Sequence, residues 1–293
     1  MSEKYNEYLK LLKIYMETED FSGALKMAEK MIEEQPLSYD AHFFKAMALS
    51  RLVSYENQIV SEVIKSAYTA YKVLTPEGQN IKRDELVGII GFGFSKMISV
   101  ILSAFENKRP TEQLVKWVTE SITNMSGEFE KSLSYIDITD KTGYIRRFQN
   151  TVVSKVDSCV ARVWKNIVWA DYSKDSYKDG KWTTPDYRPD EKIMLRFAKE
   201  TMYLVSLLSF SEKHINETTS PKNIYALYNN KCIMAYQIPR ATAYTFHKQI
   251  CKNGVMMYNH FEVSGMLPDE TREKYQAIGK KYDALADEYE KKL

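Results

Sequence analysis

The sequence predicts an all-α protein of about ten helices. Apolar residues recur at three- and four-residue spacing along most of the 293-residue chain, which is typical of helices with one buried face. Glycine (11 residues) and proline (8 residues) are scarce, whereas a chain of many short strands needs many turn residues. With 44% hydrophobic and 27% charged residues, the chain can bury a core.

The first half of the chain divides into helices at capping residues and prolines. Asp20 or Ser22 can cap the second helix, and Pro36 ends it. We expect Thr75-Pro76-Glu77-Gly78 to end the fourth helix and Asp84 to cap an apolar fifth helix. The helices expected from this spacing span about 3–16, 21–34, 39–53, 55–74 and 86–105.

The second half contains longer helices and one long polar loop. Helices are expected over about 111–133 and 144–171, joined by a connector at 135–143. The polar stretch 172–190 is broken by glycine and prolines and is the best candidate for a domain boundary. We therefore expect a helical array over 1–171, a linker over 172–190, and a C-terminal helical part over 191–293. Its helices should span about 190–215, 221–252 with a kink at Pro239, and 269–292.

Charge and cysteine content argue against several functional classes. The formal net charge of +2 lacks the large basic excess that is usual in nucleic-acid-binding proteins. Cys159, Cys232 and Cys251 are far apart and form no CxxC pair, which argues against a disulfide framework or a zinc site. This cysteine usage and the absence of an apolar leader favour a cytoplasmic protein.

One apolar stretch, residues 86–105, is long enough to span a bilayer. Lys96 lies near its middle, where an ammonium group would be costly in hydrocarbon. We expect a central helix of a soluble bundle, with membrane contact as the alternative.

Residues 5–52 carry small residues at regular positions, together with Pro36. Counted back from Pro36, a 34-residue unit begins at Tyr5, and Leu11 and Ala24 then occupy its leucine and first alanine positions. This spacing resembles the tetratricopeptide repeat, whose helix pairs stack into scaffolds. The resemblance covers about a quarter of the chain. A second unit would begin at Tyr39, but Lys45 departs from the family leucine.

The resemblance implies a ligand-binding concave face built by the first helix of each unit. Phe43 and Met47 would form an adaptable apolar patch for a peptide on that face. The alternative is that later helices cover it and that these residues belong to the core. The positions of this sequence that correspond to the concave face of the family are Asn6, Leu9, Lys13, Met16, Asp40, Phe43, Met47 and Ser50.

A basic stripe follows the helix expected over 144–171, because spacings of seven or eight residues are about two helical turns. Its members are Arg147, Lys155, Arg162 and Lys165. Such a stripe binds an acidic peptide, a phosphate-bearing ligand or a nucleic-acid backbone, or it is a solvated face. Trp182, in the loop 172–190, is a further candidate contact residue, since aromatic side chains on polar loops often serve recognition.

The sequence shows no catalytic constellation. His42, His214, His247 and His260 are scattered, and there is no HExxH, GxSxG or phosphate-binding glycine loop. We therefore expect a non-enzymatic scaffold, without a cofactor or metal, that binds a protein or peptide. The alternatives are a regulator that binds nucleic acid or an acidic ligand through the basic stripe, and a membrane-peripheral protein acting through residues 86–105.

Overall fold

The computed structural model describes most of the N-terminal 171 residues and isolated parts of the remainder. The described residues are 2–171, 177–178, 181–182, 196, 200, 203–204, 206–207, 222–228, 231–238 and 284. The side chains of Ala161, Lys165, Trp169 and of all strand residues lie outside this description.

Residues 2–171 are entirely helical apart from their connections, which confirms the predicted helical class for this part of the chain. A 3₁₀ turn, Leu133–Ile136, follows the sixth helix, and a π-helical turn, Trp164–Trp169, extends the seventh. The helices are α1 (Glu3–Glu17), α2 (Phe21–Glu34), α3 (Tyr39–Leu52), α4 (Val60–Lys72), α5 (Pro76–Glu106), α6 (Glu112–Ser132) and α7 (Thr142–Val163).

The fourth and fifth helices differ from their predicted bounds. Ser54 and Asn57 close a turn through their backbones, so α4 begins at Val60. Thr75 caps α5, because its hydroxyl accepts the Gly78 N–H at 3.3 Å. Pro76 is then the first helical residue, a position that needs no N–H partner. The Thr-Pro pair therefore starts a helix rather than ending one, and Asp84 lies inside α5 instead of capping it.

Two antiparallel strand pairs are described beyond residue 171. Strands β1 (Tyr177–Lys178) and β2 (Lys181–Trp182) fall within the predicted linker. Strands β3 (Lys222–Tyr228) and β4 (Lys231–Ile238) pair with a register shift between Ile224 and Ala226. The helix expected over 221–252 is therefore wrong for residues 222–238. Aromatic and β-branched residues are frequent there, and two asparagines separate the strands in the sequence, which is typical of a hairpin.

The chain divides into two compact units, each assembled from separate stretches of sequence. The first comprises Met1–Ile101 with Ser121–Gln149, and the second comprises Leu102–Glu120 with Asn150–Leu293. The proposed linker at 172–190 lies mostly outside the described residues, and the domain boundary predicted there stays a prediction.

In the first unit, α1 packs against α2, α2 against α3, and α3 against α4. Small residues at these seams, such as Ala24, Ala28 and Ala41, are fully buried and let the helix axes approach closely. An aromatic cluster then connects α5, α6 and α7. Phe129 stacks on Phe148 with ring centres 4.1 Å apart, and Phe94 meets both rings edge-on.

In the second unit, the described core is formed by the end of α5, the start of α6 and the second half of α7. Phe105, Val118 and Val163 are fully buried there, together with Leu207 farther along the chain. Within this unit β4 lies beside the π-helical turn. The single positions described at 196, 200, 203–204, 206–207 and 284 are helical.

Helix α5 is long and apolar enough to cross a membrane by length and composition, and more than half of its apolar stretch is buried within the protein. Its buried side chains include Leu86, Ile90, Phe94 and Ile98, while Lys96 is exposed. A core helix passes the same test of length and composition, so this feature is weak evidence for a membrane.

Candidate functional site

The residues predicted to form a concave binding face are divided between surface and core. Asn6 and Lys13 are exposed on α1. Leu9 and Met47 are partly buried, and Leu9 packs against the core cluster around Tyr5 and Leu12. Phe43 and Ser50 are buried, with 6% and 2% of their surfaces exposed. The last two therefore belong to the core.

Helix α5 covers this part of α3. A β-carbon added to Gly93 would lie 3.8 Å from Cβ of Ser50 and 3.5 Å from Cγ1 of Val63, so the α5 backbone runs close to both α3 and α4. The Arg51 guanidinium lies 3.8 Å from the centre of the Phe92 ring. Phe43 stacks on Tyr39 with ring centres 5.4 Å apart. Among the described residues, Phe43 therefore lies in the core and does not line an exposed surface.

The basic residues of α7 do not share one environment. Arg147, in the first unit, is exposed and lies over the ring of Tyr144. In the second unit, Lys155 is partly buried, and Arg162 donates from Nε to Oε1 of Glu106 at 3.1 Å. This ion pair offsets the charge of Arg162, which reduces what the stripe can offer to an anion. The side chain of Lys165 lies outside the described residues.

The aromatic residues near this stripe are placed in different ways. Trp182 lies in β2, where its Cα is paired with that of Tyr177, and its side chain is outside the description. Trp164 is buried, with 2% of its surface exposed. Its ring therefore belongs to the core.

Sequence reasoning missed an exposed pair of tyrosines in the first unit. Tyr68 of α4 and Tyr135 of the 3₁₀ turn have ring centres 6.3 Å apart at 69°, an edge-to-face contact. Their exposed fractions, 39% and 54%, are high for large aromatic side chains. The two residues are 67 positions apart in sequence, so only the packing of α4 beside the 3₁₀ turn brings them together.

Charged groups border this tyrosine pair. Nζ of Lys72 lies 5.5 Å from the centre of the Tyr68 ring and 3.3 Å from Oδ2 of Asp137. Asp137 has a left-handed backbone conformation, with φ 49°, which ends the 3₁₀ turn. At the end of α6, Lys131 and Glu128 form an ion pair at 2.7 Å that raises the pKa of Lys131. The surface thus combines two aromatic faces with balanced charges, and we call residues Tyr68, Lys72, Tyr135 and Asp137 the tyrosine surface.

The second unit contains an ion-pair network that the sequence did not reveal. Nη1 of Arg109 lies 2.9 Å from Oε1 of Glu200, and only 7% of the surface of Glu200 is exposed. Arg109 also pairs with Asp171, and Asp171 lies 3.6 Å from Nη2 of Arg196. The positive charges of the two arginines are compensated by the negative charges of the two carboxylates. This balance indicates that the network has a structural role.

Cys159 is fully buried in the same unit, and its thiol lies 3.7 Å from the carbonyl oxygen of Leu102. Burial raises the pKa of the thiol, and the nearby Glu106 carboxylate raises it further. A neutral buried thiol is a poor nucleophile. Within the described part of the chain, no group of three or more histidine, cysteine, aspartate or glutamate residues is arranged to hold a metal ion.

Comparison of the sequence with protein-family models finds no matching family, and comparison with curated proteins finds no match.

Proposed function

We propose that this protein is a non-enzymatic helical scaffold that binds a protein or peptide partner. The observation that carries the proposal is the tyrosine surface, where two large aromatic side chains remain exposed although they contact each other. Tyrosine offers a large contact area with few rotatable bonds and a polar tip, and it is enriched where proteins bind one another.

The surroundings of the pair support the same use. Lys72 is held between the Tyr68 ring and Asp137, so the charged rim has a defined orientation before any partner arrives. Polar residues around an aromatic centre are the usual arrangement of a transient interface. The tetratricopeptide-like spacing of residues 5–52 is consistent with a scaffold. In this proposal, however, the partner binds at the tyrosine surface and not at a groove around Phe43.

The experiment compares partner capture by three forms of the full-length protein. The wild type, the double variant Tyr68→Ala/Tyr135→Ala and the control Tyr55→Ala are used as bait in extract of the source cell, with quantitative mass spectrometry. Tyr55 is 65% exposed, so the control removes an exposed tyrosine outside this pair. Circular dichroism verifies that all three forms are helical.

We expect at least one protein to be retained by the wild type and by Tyr55→Ala but lost by the double variant. The purified protein should then bind the wild type directly, with affinity reduced by about tenfold or more in the double variant. If every captured protein is retained equally by the double variant, the proposed surface is wrong.

A further inference from the structure

The exposed guanidinium group of Arg51 contacts two aromatic rings in the first unit. Its carbon lies 3.8 Å from the centre of the Phe92 ring on α5 and 6.0 Å from the centre of the Phe21 ring at the start of α2. The shorter distance places the guanidinium on the face of the Phe92 ring, where the aromatic quadrupole attracts a cation. Residues from α2, α3 and α5 therefore fix the position of one positive charge at the surface.

The aromatic contacts hold Arg51 without using its hydrogen-bond donors. Among the residues that the structure describes, no acceptor and no carboxylate pairs with its guanidinium. Arg51 lies in the last turn of α3, where basic side chains often donate to free carbonyl groups, but its guanidinium lies on Phe92 instead. Asp20, next to Phe21, accepts the Gly23 N–H at 2.9 Å and caps α2. The donors of Arg51 are therefore available to an anion from outside.

The surface beside Arg51 is apolar and open. Phe92 is 36% exposed although it lies in the same helix as many core residues. One turn earlier on the same face of α5, Gly88 is exposed, and nothing lies within 4 Å of the position that a β-carbon would take there. The missing side chain leaves a shallow recess next to the Phe92 ring, in which an apolar side chain of a partner can pack.

We propose that Arg51 binds the carboxylate of an acidic side chain in a partner polypeptide, and that an apolar residue beside that acid packs on Phe92 and over Gly88. The guanidinium fork matches the two oxygens of a carboxylate. Because the aromatic contacts already orient the guanidinium, less conformational freedom is lost on binding.

The single charge at this site favours a carboxylate over a phosphate group. Phosphate groups on proteins are usually bound by clusters of arginines, whereas one guanidinium matches the single charge of a carboxylate. The partner segment is therefore an acidic residue flanked by apolar residues. This site shares no residue with the tyrosine surface, so either surface can fail without the other.

Fluorescence anisotropy of the full-length protein with three short peptides, at constant ionic strength, tests the site. The probe is Ser-Leu-Glu-Leu-Ser, acetylated and amidated at its ends and carrying an uncharged fluorophore, so that glutamate supplies its charge. Ser-Leu-Gln-Leu-Ser is the uncharged control, and Ser-Leu-phosphoserine-Leu-Ser tests for a phosphate site. We expect the glutamate peptide to bind about tenfold more tightly than the glutamine peptide, because hydrogen bonds to a charged group are strong.

Two substitutions of Arg51 test its role against that of a general positive charge. Arg51→Gln should weaken binding of the glutamate peptide by about tenfold and leave binding of the glutamine peptide unchanged. Arg51→Lys keeps the charge but loses the planar fork, and it should weaken binding of the glutamate peptide by about fivefold. The matched control is Arg146→Gln, which removes an exposed arginine that contacts neither phenylalanine and should weaken binding by about twofold or less.

Gly88→Leu tests the recess separately. The leucine side chain would fill the space beside Phe92, so this variant should weaken binding of the glutamate and glutamine peptides alike, by about fivefold. Circular dichroism verifies that each variant is helical. If Arg51→Gln fails to fold, Arg51→Lys and Gly88→Leu carry the test.

Three results would overturn the proposal. The first is equal binding of the glutamate and glutamine peptides by the wild type. The second is an equal loss of binding in Arg146→Gln and in the Arg51 variants, because the attraction would then be non-specific. The third is binding of the phosphoserine peptide more than about tenfold tighter than that of the glutamate peptide, which would identify a phosphate site instead.

Discussion

Nη1 of Arg109 lies 2.9 Å from Oε1 of Glu200, and the two residues are 91 positions apart in the sequence. Arg109 belongs to the connection between α5 and α6, and it also pairs with Asp171. A single guanidinium group therefore joins three separate stretches of the second unit.

The first prediction concerns this network. Glu200→Gln should lower the free energy of unfolding by about 1–3 kcal/mol, because it removes the more buried of the two carboxylates that Arg109 faces. The loss is smaller than for a fully buried pair because the Arg109 side chain is 42% exposed. Urea unfolding followed by circular dichroism measures the change.

Lys116→Gln is the matched control. Lys116 and Glu120 form an exposed pair at 3.9 Å, and its loss should change stability by less than about 0.5 kcal/mol. Equal effects of Glu200→Gln and Lys116→Gln would contradict the structural role of the network.

The second prediction concerns the covering of α3 by α5. Gly93→Leu should destabilise the protein by about 1–2 kcal/mol, because a larger side chain would press on Val63 and Ser50. Gly88→Leu should instead stabilise it by about 0.5 kcal/mol, because Gly88 is an exposed helical glycine with open space around it. Thermal unfolding of the two variants shows whether each substitution destabilises or stabilises the protein. A stabilised Gly93→Leu would mean that α5 does not pack on α3 as described.

The third prediction concerns two serine caps of different burial. Ser38 caps α3 by accepting the Ala41 N–H, and its hydroxyl lies 2.5 Å from that of the buried Tyr5. Ser38→Ala should cost about 1–2 kcal/mol, since it removes a cap and leaves the Tyr5 hydroxyl buried without this partner. Ser2→Ala, at the exposed cap of α1, should cost about 0.5 kcal/mol.

A double-mutant cycle with Tyr5→Phe separates the two contributions of Ser38. The double variant should be more stable than the sum of the single losses predicts, because the unsatisfied hydroxyl is then gone. Strict additivity would show that the Tyr5–Ser38 contact does not affect stability.

The fourth prediction concerns the pH dependence that Cys159 contributes. An unfolded thiol ionises near its ordinary pKa of 9.0, whereas burial keeps the folded thiol neutral to higher pH. Above pH 9.0, ionisation of the Cys159 thiol stabilises the unfolded state, whereas the thiol of the folded state remains neutral. Between about pH 8 and about pH 10, the wild type should therefore lose about 1.4 kcal/mol more stability than Cys159→Ala.

Alkylation by iodoacetamide provides an independent measurement for the same residue. In the native protein, Cys159 should react about 100-fold more slowly than in urea, because reaction requires local opening. Peptide mapping by mass spectrometry assigns the rate to Cys159. Rapid labelling in the native state would place the thiol at the surface.

Local sequence signals predicted α1 to α3 closely, and the helix expected over 144–171 corresponds to α7 together with the π-helical turn that follows it. Asp20 and Ser38 each accept a hydrogen bond from the backbone N–H three residues later in the chain. These caps can therefore be recognised in the sequence without any tertiary information. Thr75-Pro76 was misinterpreted because a proline is compatible both with a helix end and with a first helical turn. The hairpin at 222–238 was missed because a short apolar run has no clear period.

The exposure of candidate binding residues could not be predicted in the same way. Phe43 and Ser50 lie on the predicted face of α3, yet both are buried, and the α5 backbone at Gly93, about 40 residues later in the sequence, lies close to Ser50. Tyr68 and Tyr135 carry no local signal of pairing, since their contact depends on how α4 and the 3₁₀ turn pack.

The sequence by itself determined where most helices of residues 2–171 form, apart from the bounds of α4 and α5, because periodicity, caps and glycine content act over a few residues along the chain. Only the tertiary structure decided which faces of those helices remain open. It buried Phe43, exposed the Tyr68–Tyr135 pair, and brought the Tyr144 hydroxyl to the Asp84 carboxylate. Burial and charge clustering depend on residues that are distant in sequence, and no local pattern records which of them meet.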